Sequence, residues 1–494
     1  GIIGPTNTPV GGLFKGVASG VWRMNDLLTF VSNNQWPSGP KNIENSCRFN
    51  SGSNDFLSGT FSNSGNRRTF TISFWIKRAS IGSDERIIEA DTGTDGNNVN
   101  GIEFDTVSGS NRIRVIFYND PTVNLNLKTN ALFSDLSAWY HIVLAIDTTQ
   151  STSSDRAKLY VNGSQITSFE TATYPSQNYD ADWNVSGNNI RIGRRIDSSP
   201  EYLSAYLAET VFIDGQALDP TSFGEFDTTT GIWKPKKIGS FTSAGDNSFY
   251  LDFKDSSNLG NDASGLNNDF TVSGLTSIDQ STDTCVENFA TGNFLVKGTS
   301  GAATASEGNL KATSGQASWE TLFGTIAVDS GKWYAEFKCG ATGTQFGVID
   351  IDQATVHDIY GGSQSRGWGY DNDGTLYNNS GNSGGTYASY TANDIIGVAL
   401  DMDNHKVYWH KNGTYQNSGD PTSGSTGTGA KSLTSGYLYT FFFGAYNGNG
   451  SANFGSPPYS ISSGNADANG FGNFEYSVPS GYYALNTSNL NTYG

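Results

Sequence analysis

The sequence predicts an all-β protein built as two antiparallel β-sandwiches, and three observations predict it. Aromatic residues make up 13% of the chain, and Gly accounts for 60 of its 494 residues. Short apolar runs alternate with polar residues at period two. Asn, Asp, Ser, Thr and Gly crowd between those runs, the usage of many strands joined by tight turns. The length fits two large sandwiches, each able to bury its own core. Long helices are not expected.

Residues 1–40 are Gly-rich and carry one short amphipathic segment at Val21–Phe30, ended before Pro37. Such a segment is too small for a core of its own. It reads either as an arm that docks elsewhere or as a strand or flap packing on the following domain. Strands begin at Cys47 with FLSGTFSN and RRTFTISFWIKR, where Phe70, Ile72, Phe74 and Ile76 fall on one face and Thr71, Ser73, Trp75 and Lys77 on the other. RIIEADT, NGIEFDT, NRIRVIFYND, WYHIVLAIDTT, RAKLYVNGSQI and NIRIGRRID follow, with Asn162-Gly163 as a hairpin turn. SIDQSTDTCVENFAT reads as a polar linker. Beyond it, GKWYAEFK, TQFGVID, GWGYDNDGTLYNN, DIIGVALDMDNHKVYWHKNG and YTFFFGAYNGNG repeat the strand-and-turn pattern, with tight turns at Asp401–Asn404 and Asn412-Gly413. The predicted division is an arm at 1–40, a sandwich at 41–275, a linker at 276–292 and a second sandwich at 293–494.

FTISFWIKR, WYHIVLAIDTT…AKLYVNG and YLAETVFIDGQAL resemble the laminin-G/concanavalin-A-like jelly roll over residues 41–275. YLAETVFIDGQAL with LDPTSFGEFDTTTGIWKPKK is similar to the version found in structural proteins of tailed phages from marine bacteria, and SFYLDFKDSSNLGNDASGLNNDFTV would close its sheet. GKWYAEFK through YTFFFGAYNGNGSANFG and GYYALNT resemble a SPRY (B30.2-like) sandwich over 293–485. The pair together resembles tail-fibre or capsid-decoration proteins of marine phages. The resemblance implies a virion structural protein on the particle exterior, attached to other virion proteins through its arm. It also implies adhesion to host-surface glycan or protein, and a homo-oligomer, although no heptad segment enforces one. A cell-surface polysaccharide depolymerase and a secreted bacterial adhesin are the rival readings.

Charge narrows the partners. Asp and Glu outnumber Lys and Arg by 47 to 29, for a net charge of −18. That surface repels phosphate backbones and anionic leaflets, so neither nucleic acid nor membrane insertion is expected. A surface poor in ion pairs suits salty water, where screening is short-ranged. Cys47, Cys285 and Cys339 lack metal spacing and are expected as buried free thiols. GIIGPTNTPVGG lacks the features of a signal peptide, and Gly1 fits either loss of an initiator Met or upstream processing.

The chemistry-bearing residues point to binding rather than catalysis. Glycosidases need two carboxylates flanking the scissile bond, and jelly-roll glucanases carry them as an E-x-D-x-(x)-E run on one strand. Glu103 with Asp105, and Glu89 with Asp91, each lack the second Glu and read as solvated strand faces, so no catalytic residue is expected. His405 reads as part of a tight hairpin. His410 alternates with Trp409, so one is expected in the core and the other exposed. No cofactor is required. Calcium, if bound, would draw on Asp91, Asp95, Asp371 and Asp373, although turn capping explains those residues. Ligand binding is assigned to Trp368, Tyr370, Tyr377, Tyr387 and Tyr390. Trp368 and Tyr370 alternate like core residues, whereas Tyr387 and Tyr390, in a Gly/Ser-rich loop, are expected at the surface.

Overall fold

The computed structural model describes residues 43–91, 98–106, 111–196, 201–239, 241, 244–296, 303–315, 318–341 and 343–494. The expected arm at 1–40 and the calcium candidate Asp95 lie outside the described residues. The described chain forms two compact units that divide between Val286 and Glu287.

In the first unit, period-two strands build two antiparallel sheets on one core. One sheet runs, in spatial order, Ser164–Gln165, Ala157–Val161, Trp139–Asp147, Thr69–Arg78, Ala205–Asp214, Ser46–Phe49 and Gln280–Ser281, with Phe249–Leu251 also paired to Ala205–Asp214. The other runs Phe169–Thr173, Thr122–Thr129, Arg112–Asn119, Asn98–Asp105, Glu85–Asp91, Asn189–Ile192, Phe56–Thr60 and Thr271–Ser273. Asn162 and Gly163 sit at φ 47° and 77°, the left-handed pair that a two-residue hairpin requires.

Phe70, Ile72, Phe74 and Ile76 enter the core with Ile102, Phe104, Leu144 and Phe212. Thr71, Ser73, Trp75 and Lys77, on the opposite face, are buried as well. A small hairpin, Gly224–Phe226 with Trp233–Pro235, covers that face and brings Trp233 onto Trp75, Trp139 and Tyr206. His141 is stacked between Trp75 and Trp233, with ring centroids 4.7 and 5.8 Å away. Trp233 Nε1 donates to His141 Nδ1 at 3.0 Å, so the ring proton belongs on Nε2, 2.9 Å from Ser73 Oγ. Burial pushes this imidazole down to about 3, and it stays neutral.

The segment expected as a linker is instead part of both units. Thr276 and Asp279 close a capping box over Ser277–Asp279, and Gln280–Ser281 pairs with Ser46–Phe49. Asp283 forms a buried ion pair with Lys77 and accepts from Trp139 Nε1 at 3.1 Å. Beyond Val286 the chain joins the second unit, where Phe289 bridges to Asn486 and Ala290 N donates to the Leu485 carbonyl at 3.0 Å. Polar composition misleads here because Asp279, Ser281, Asp283 and Thr284 are buried against protein partners rather than turned to water.

In the second unit one sheet runs Gly292–Asn293, Trp319–Gly324, Tyr439–Tyr446, Thr344–Asp350, Gly367–Asp371, Thr375–Asn378 and Gly381–Thr386. The other runs Ala303–Ser306, Lys311–Ser314, Asn449–Asn453, Lys332–Cys339, Ile395–Asp401, Lys406–Lys411 and Thr414–Tyr415. Tyr483–Ala484 adds a short parallel pairing to Lys332–Cys339. Asn404 N donates to Asp401 Oδ1 at 2.9 Å and His405 takes φ 52°, which closes the expected turn. Helix is scarce, and Thr487–Tyr493, capped by Asn486, is only seven residues long. Among the described residues no helix is long and apolar enough to cross a membrane.

Trp409 and His410 are both buried, correcting the expectation that one would be exposed. The reason is a second apolar layer, in which Phe474 and Tyr482 of the C-terminal segment cover the outer face of this sheet. Glu336 fastens that layer, accepting from Glu475 N and Tyr476 N at 2.8 Å each and from Tyr334 Oη at 2.9 Å. His410 Nε2 lies 2.7 Å from the same phenol, while its Nδ1 accepts from Gly413 N at 3.1 Å. The order is therefore His410 to Tyr334 to Glu336, each group donating to the next. Burial pushes Glu336 up to about 7 against these hydrogen bonds, and pushes His410 down to about 3.

The thiols are free, with Cys47 and Cys339 buried; Cys285 is only half-buried, short of the expected burial.

Candidate functional site

Two regions carry the residues singled out in the sequence. In the first unit, Glu89 and Glu103 are 1% and 6% exposed, so the expected solvated strand faces are in fact interior. Register explains their meeting, because Arg86 pairs across to Glu103 and Glu89 to Gly101. Arg86 Nη2 lies 2.6 Å from Glu103 Oε2, and Arg86 Nε lies 3.1 Å from Glu89 Oε2. The pairs continue across the sheet. Arg114 reaches Glu103 at 3.2 Å, Lys128 reaches Asp105 at 3.2 Å and Glu170 at 3.3 Å, and Arg112 reaches Glu170 at 2.8 Å. Glu201 joins Arg86 at 3.2 Å and Arg195 at 2.8 Å. Burial, opposed by Arg86, pushes Glu89 up to about 7. Both glutamates are committed to one guanidinium, an ion-pair lattice rather than a cleft flanked by an acid and a free base.

In the second unit the five nominated aromatics separate onto two faces. Tyr370, Tyr387 and Tyr390 are 0%, 4% and 1% exposed and belong to the core, which corrects the expected surface placement of the latter two. Tyr370 meets Tyr387 edge-on at 5.1 Å and Tyr390 at 5.0 Å, and Tyr390 stacks on Phe346 at 5.7 Å. The Tyr390 hydroxyl lies 2.8 Å from the Thr344 carbonyl and 2.9 Å from that of Tyr370, so its donor is satisfied inside. A Gly/Ser-rich loop has no apolar volume of its own, and its two tyrosines turn inward to close the end of the sandwich. Trp368 is half-buried at the margin of this cluster, donating from Nε1 to the Ser432 carbonyl at 3.2 Å.

Tyr377 alone of the five faces outward, and it ends a row of rings. Its ring centroid is 5.6 Å from Tyr360, which is 5.7 Å from Trp319, which is 5.7 Å from Tyr446. Interplanar angles of 72°, 46° and 48° tilt each ring against its neighbour. Tyr446 is 40% exposed and the other three are partly exposed. Trp319 and Tyr446 are register partners on neighbouring strands, so the sheet itself sets their spacing.

Tyr360 arrives on a segment laid over the same sheet. Thr321 N donates to the His357 carbonyl at 2.9 Å, the Thr321 hydroxyl donates to the Ile359 carbonyl, and Gly362 N donates to Gln345 Oε1 at 2.9 Å. A Cβ at Gly361 would run into the Phe442 ring, so only glycine lets this segment lie so close. Gly369 is the register partner of Tyr377, which puts Asp371 on the same face of the sheet, and burial, followed by Asp371 and Asp373, pushes the Tyr377 phenol up. Burial and the neighbouring Asp373 push Asp371 up to about 6.

Among the described residues the calcium candidates are not assembled into a site. Asp373 Oδ1 caps Thr375 N at 2.7 Å, an ordinary Asx turn, and Asp91 is buried on its strand. Among the described residues no group of three His, Cys, Asp or Glu side chains is placed to hold a metal ion.

Sequence reasoning missed Trp319, Tyr360 and Tyr446. Tyr446 ends the run YTFFFGAY, where Phe441, Phe442 and Phe443 put aromatics on both alternations and period two gives no clear inward face. Trp319 and Tyr360 come from segments distant in sequence, joined only by the fold.

A concanavalin A-like lectin/glucanase superfamily model, Laminin_G_3, matches residues 50–221, and a SPRY domain model matches residues 332–457. No curated protein matches the chain. Among solved structures, the SPRY domain of human HERC1 is 22% identical, over 29% of this chain and 87% of that one, with a TM-score of 0.23. The TRIM65 PSpry domain is 11% identical over 33% and 90%, with a TM-score of 0.26. The native heptameric SAP-like pentraxin from Limulus polyphemus is 16% identical over 36% and 74%, with a TM-score of 0.25. The chain carries a Laminin_G_3-type, concanavalin A-like domain followed by a SPRY domain, two folds of binding or adhesion type.

Proposed function

We propose that this chain is a non-enzymatic adhesion protein of a phage particle, carried on the virion exterior as a fibre, spike or capsid decoration. Its SPRY unit binds host-surface glycan or protein, and residues 1–40 attach it to other virion proteins. The observation that carries the reading is the outward row Tyr446, Trp319, Tyr360 and Tyr377, held by the sheet and its pinned covering segment. Rigid aromatic anchors offer large contact area at low entropic cost. The phage setting rests on the sequence resemblance of residues 41–275. Individually weak contacts of this kind gain strength when many copies act on one particle.

The test is competition. Soluble chain should block attachment of particles to host cells, and Trp319→Ala with Tyr446→Ala should abolish the block while melting and near-ultraviolet dichroism stay close to wild type. Undiminished blocking by the double variant overturns the assignment of recognition to this row. Release of reducing ends from host polysaccharide overturns the non-enzymatic part.

A further inference from the structure

This inference rests on the adhesion reading and specifies its ligand. We propose that the aromatic patch of the SPRY unit binds a neutral polysaccharide, sugar C–H faces packing on Tyr446, Trp319, Tyr360 and Tyr377 while Asp371 and Asp373 accept hydrogen bonds from hydroxyls on the Tyr377 side.

The geometry argues for a repeating, extended ligand. Four adjoining rings, with neighbouring centroids 5.7, 5.7 and 5.6 Å apart and each ring at least partly exposed, form a patch carried on strands from Trp319–Gly324 to Thr375–Asn378, so a single small molecule would leave most of it unused. The rings are fixed before binding. Trp319 and Tyr446 are set by strand register, and Tyr360 is set by the hydrogen bonds of Thr321 and Gln345 to its segment. A pre-formed surface avoids much of the ordering cost that otherwise weakens binding.

Charge selects among polysaccharides. Gly369 is the register partner of Tyr377, so Asp371, two residues along its strand, lies on the same face of the sheet; exposed Asp373 follows in the turn, and the chain as a whole carries −18. Uronate or sulfate chains would meet like charge there, whereas neutral hydroxyls find acceptors.

The experiment titrates the full chain with neutral linear hexasaccharides of laminarin, cellulose, xylan and mannan type, and with an alginate hexamer of equal length. Tryptophan fluorescence and calorimetry supply the readout. At least one neutral hexasaccharide should bind, its disaccharide should bind at least about tenfold more weakly, and the affinity should be nearly independent of salt. Trp319→Ala should lose about tenfold or more, while Trp319→Tyr, which keeps a ring and guards against misfolding, should retain most of the affinity. Failure of the whole neutral panel, tighter binding of the alginate hexamer, or unchanged affinity in Trp319→Ala each overturns the proposal. If host-cell attachment still falls in Trp319→Ala while no neutral sugar binds, the ligand class is wrong and the adhesion reading stands. If attachment is unchanged in that variant, the adhesion reading of the row falls as well.

Discussion

The two sandwiches use the outward face of a sheet in opposite ways. In the Laminin_G_3-type unit the sheet containing Glu85–Asp91 and Asn98–Asp105 buries charge there, with Arg86 gripping Glu89, Glu103 and Glu201. In the SPRY unit the sheet containing Trp319–Gly324 and Tyr439–Tyr446 presents aromatic rings to solvent. Buried ion pairs are costly to desolvate and costly to break, so they lock geometry without offering a surface. Exposed rings do the reverse, since they add little to the fold and much to contact. The difference teaches that carboxylates on a lectin-like sheet are no guide to a site until their partners are known.

The largest effect should come from breaking the lattice. Arg86→Ala leaves Glu89 and Glu103 buried without their shared cation and should destabilise the first unit by about 3–5 kcal/mol, read as a shift of its urea transition. A loss below about 1 kcal/mol would mean that the lattice is solvated and the contrast between the units is false. Tyr390→Ala should cost about 3–5 kcal/mol in the second unit, as for any large aromatic removed from a core. A near-neutral Tyr390→Ala would return this tyrosine to the surface and restore the loop as a recognition site.

A pH measurement sharpens the account of Glu336. Burial raises its folded-state pKa from 4.5 to about 7, so its contribution is fully present below about 4.5 and is lost as the pH rises through 7. The gap in unfolding free energy between wild type and Glu336→Gln should therefore shrink by on the order of 1–3 kcal/mol between pH 4.5 and pH 8. A gap that widens with pH would show the hydrogen bonds from Glu475 N, Tyr476 N and Tyr334 outweighing desolvation. His141 and His410, held neutral with values of about 3, act in the other direction, and their contribution is lost as the pH falls from 6.5 through 3. The smallest effect belongs to Tyr446→Ala, which should change stability by less than about 1 kcal/mol because the ring is already 40% exposed. A larger loss would make the row structural rather than a platform.

Sequence by itself determined the fold class, the two sandwiches in order, and turns such as Asn162-Gly163 and Asp401–Asn404. These depend on period-two patterning and on local φ preferences, which a short window of residues contains. It also placed Phe70, Ile72, Phe74 and Ile76 on one face of their strand. Only the tertiary structure decided what covers the opposite face of each sheet. That is why Lys77 and Asp283, nominally surface and linker, became a buried pair, why Trp409 and His410 are both interior, and why Tyr387 and Tyr390 turned inward. The row of Tyr446, Trp319, Tyr360 and Tyr377 is of the same kind. Register, a glycine that lets Tyr360's segment approach Phe442, a hydrogen bond donated by Thr321 and one accepted by Gln345 assemble it from residues far apart in the chain. Burial and neighbourhood are properties of long-range contact, and no local pattern encodes them.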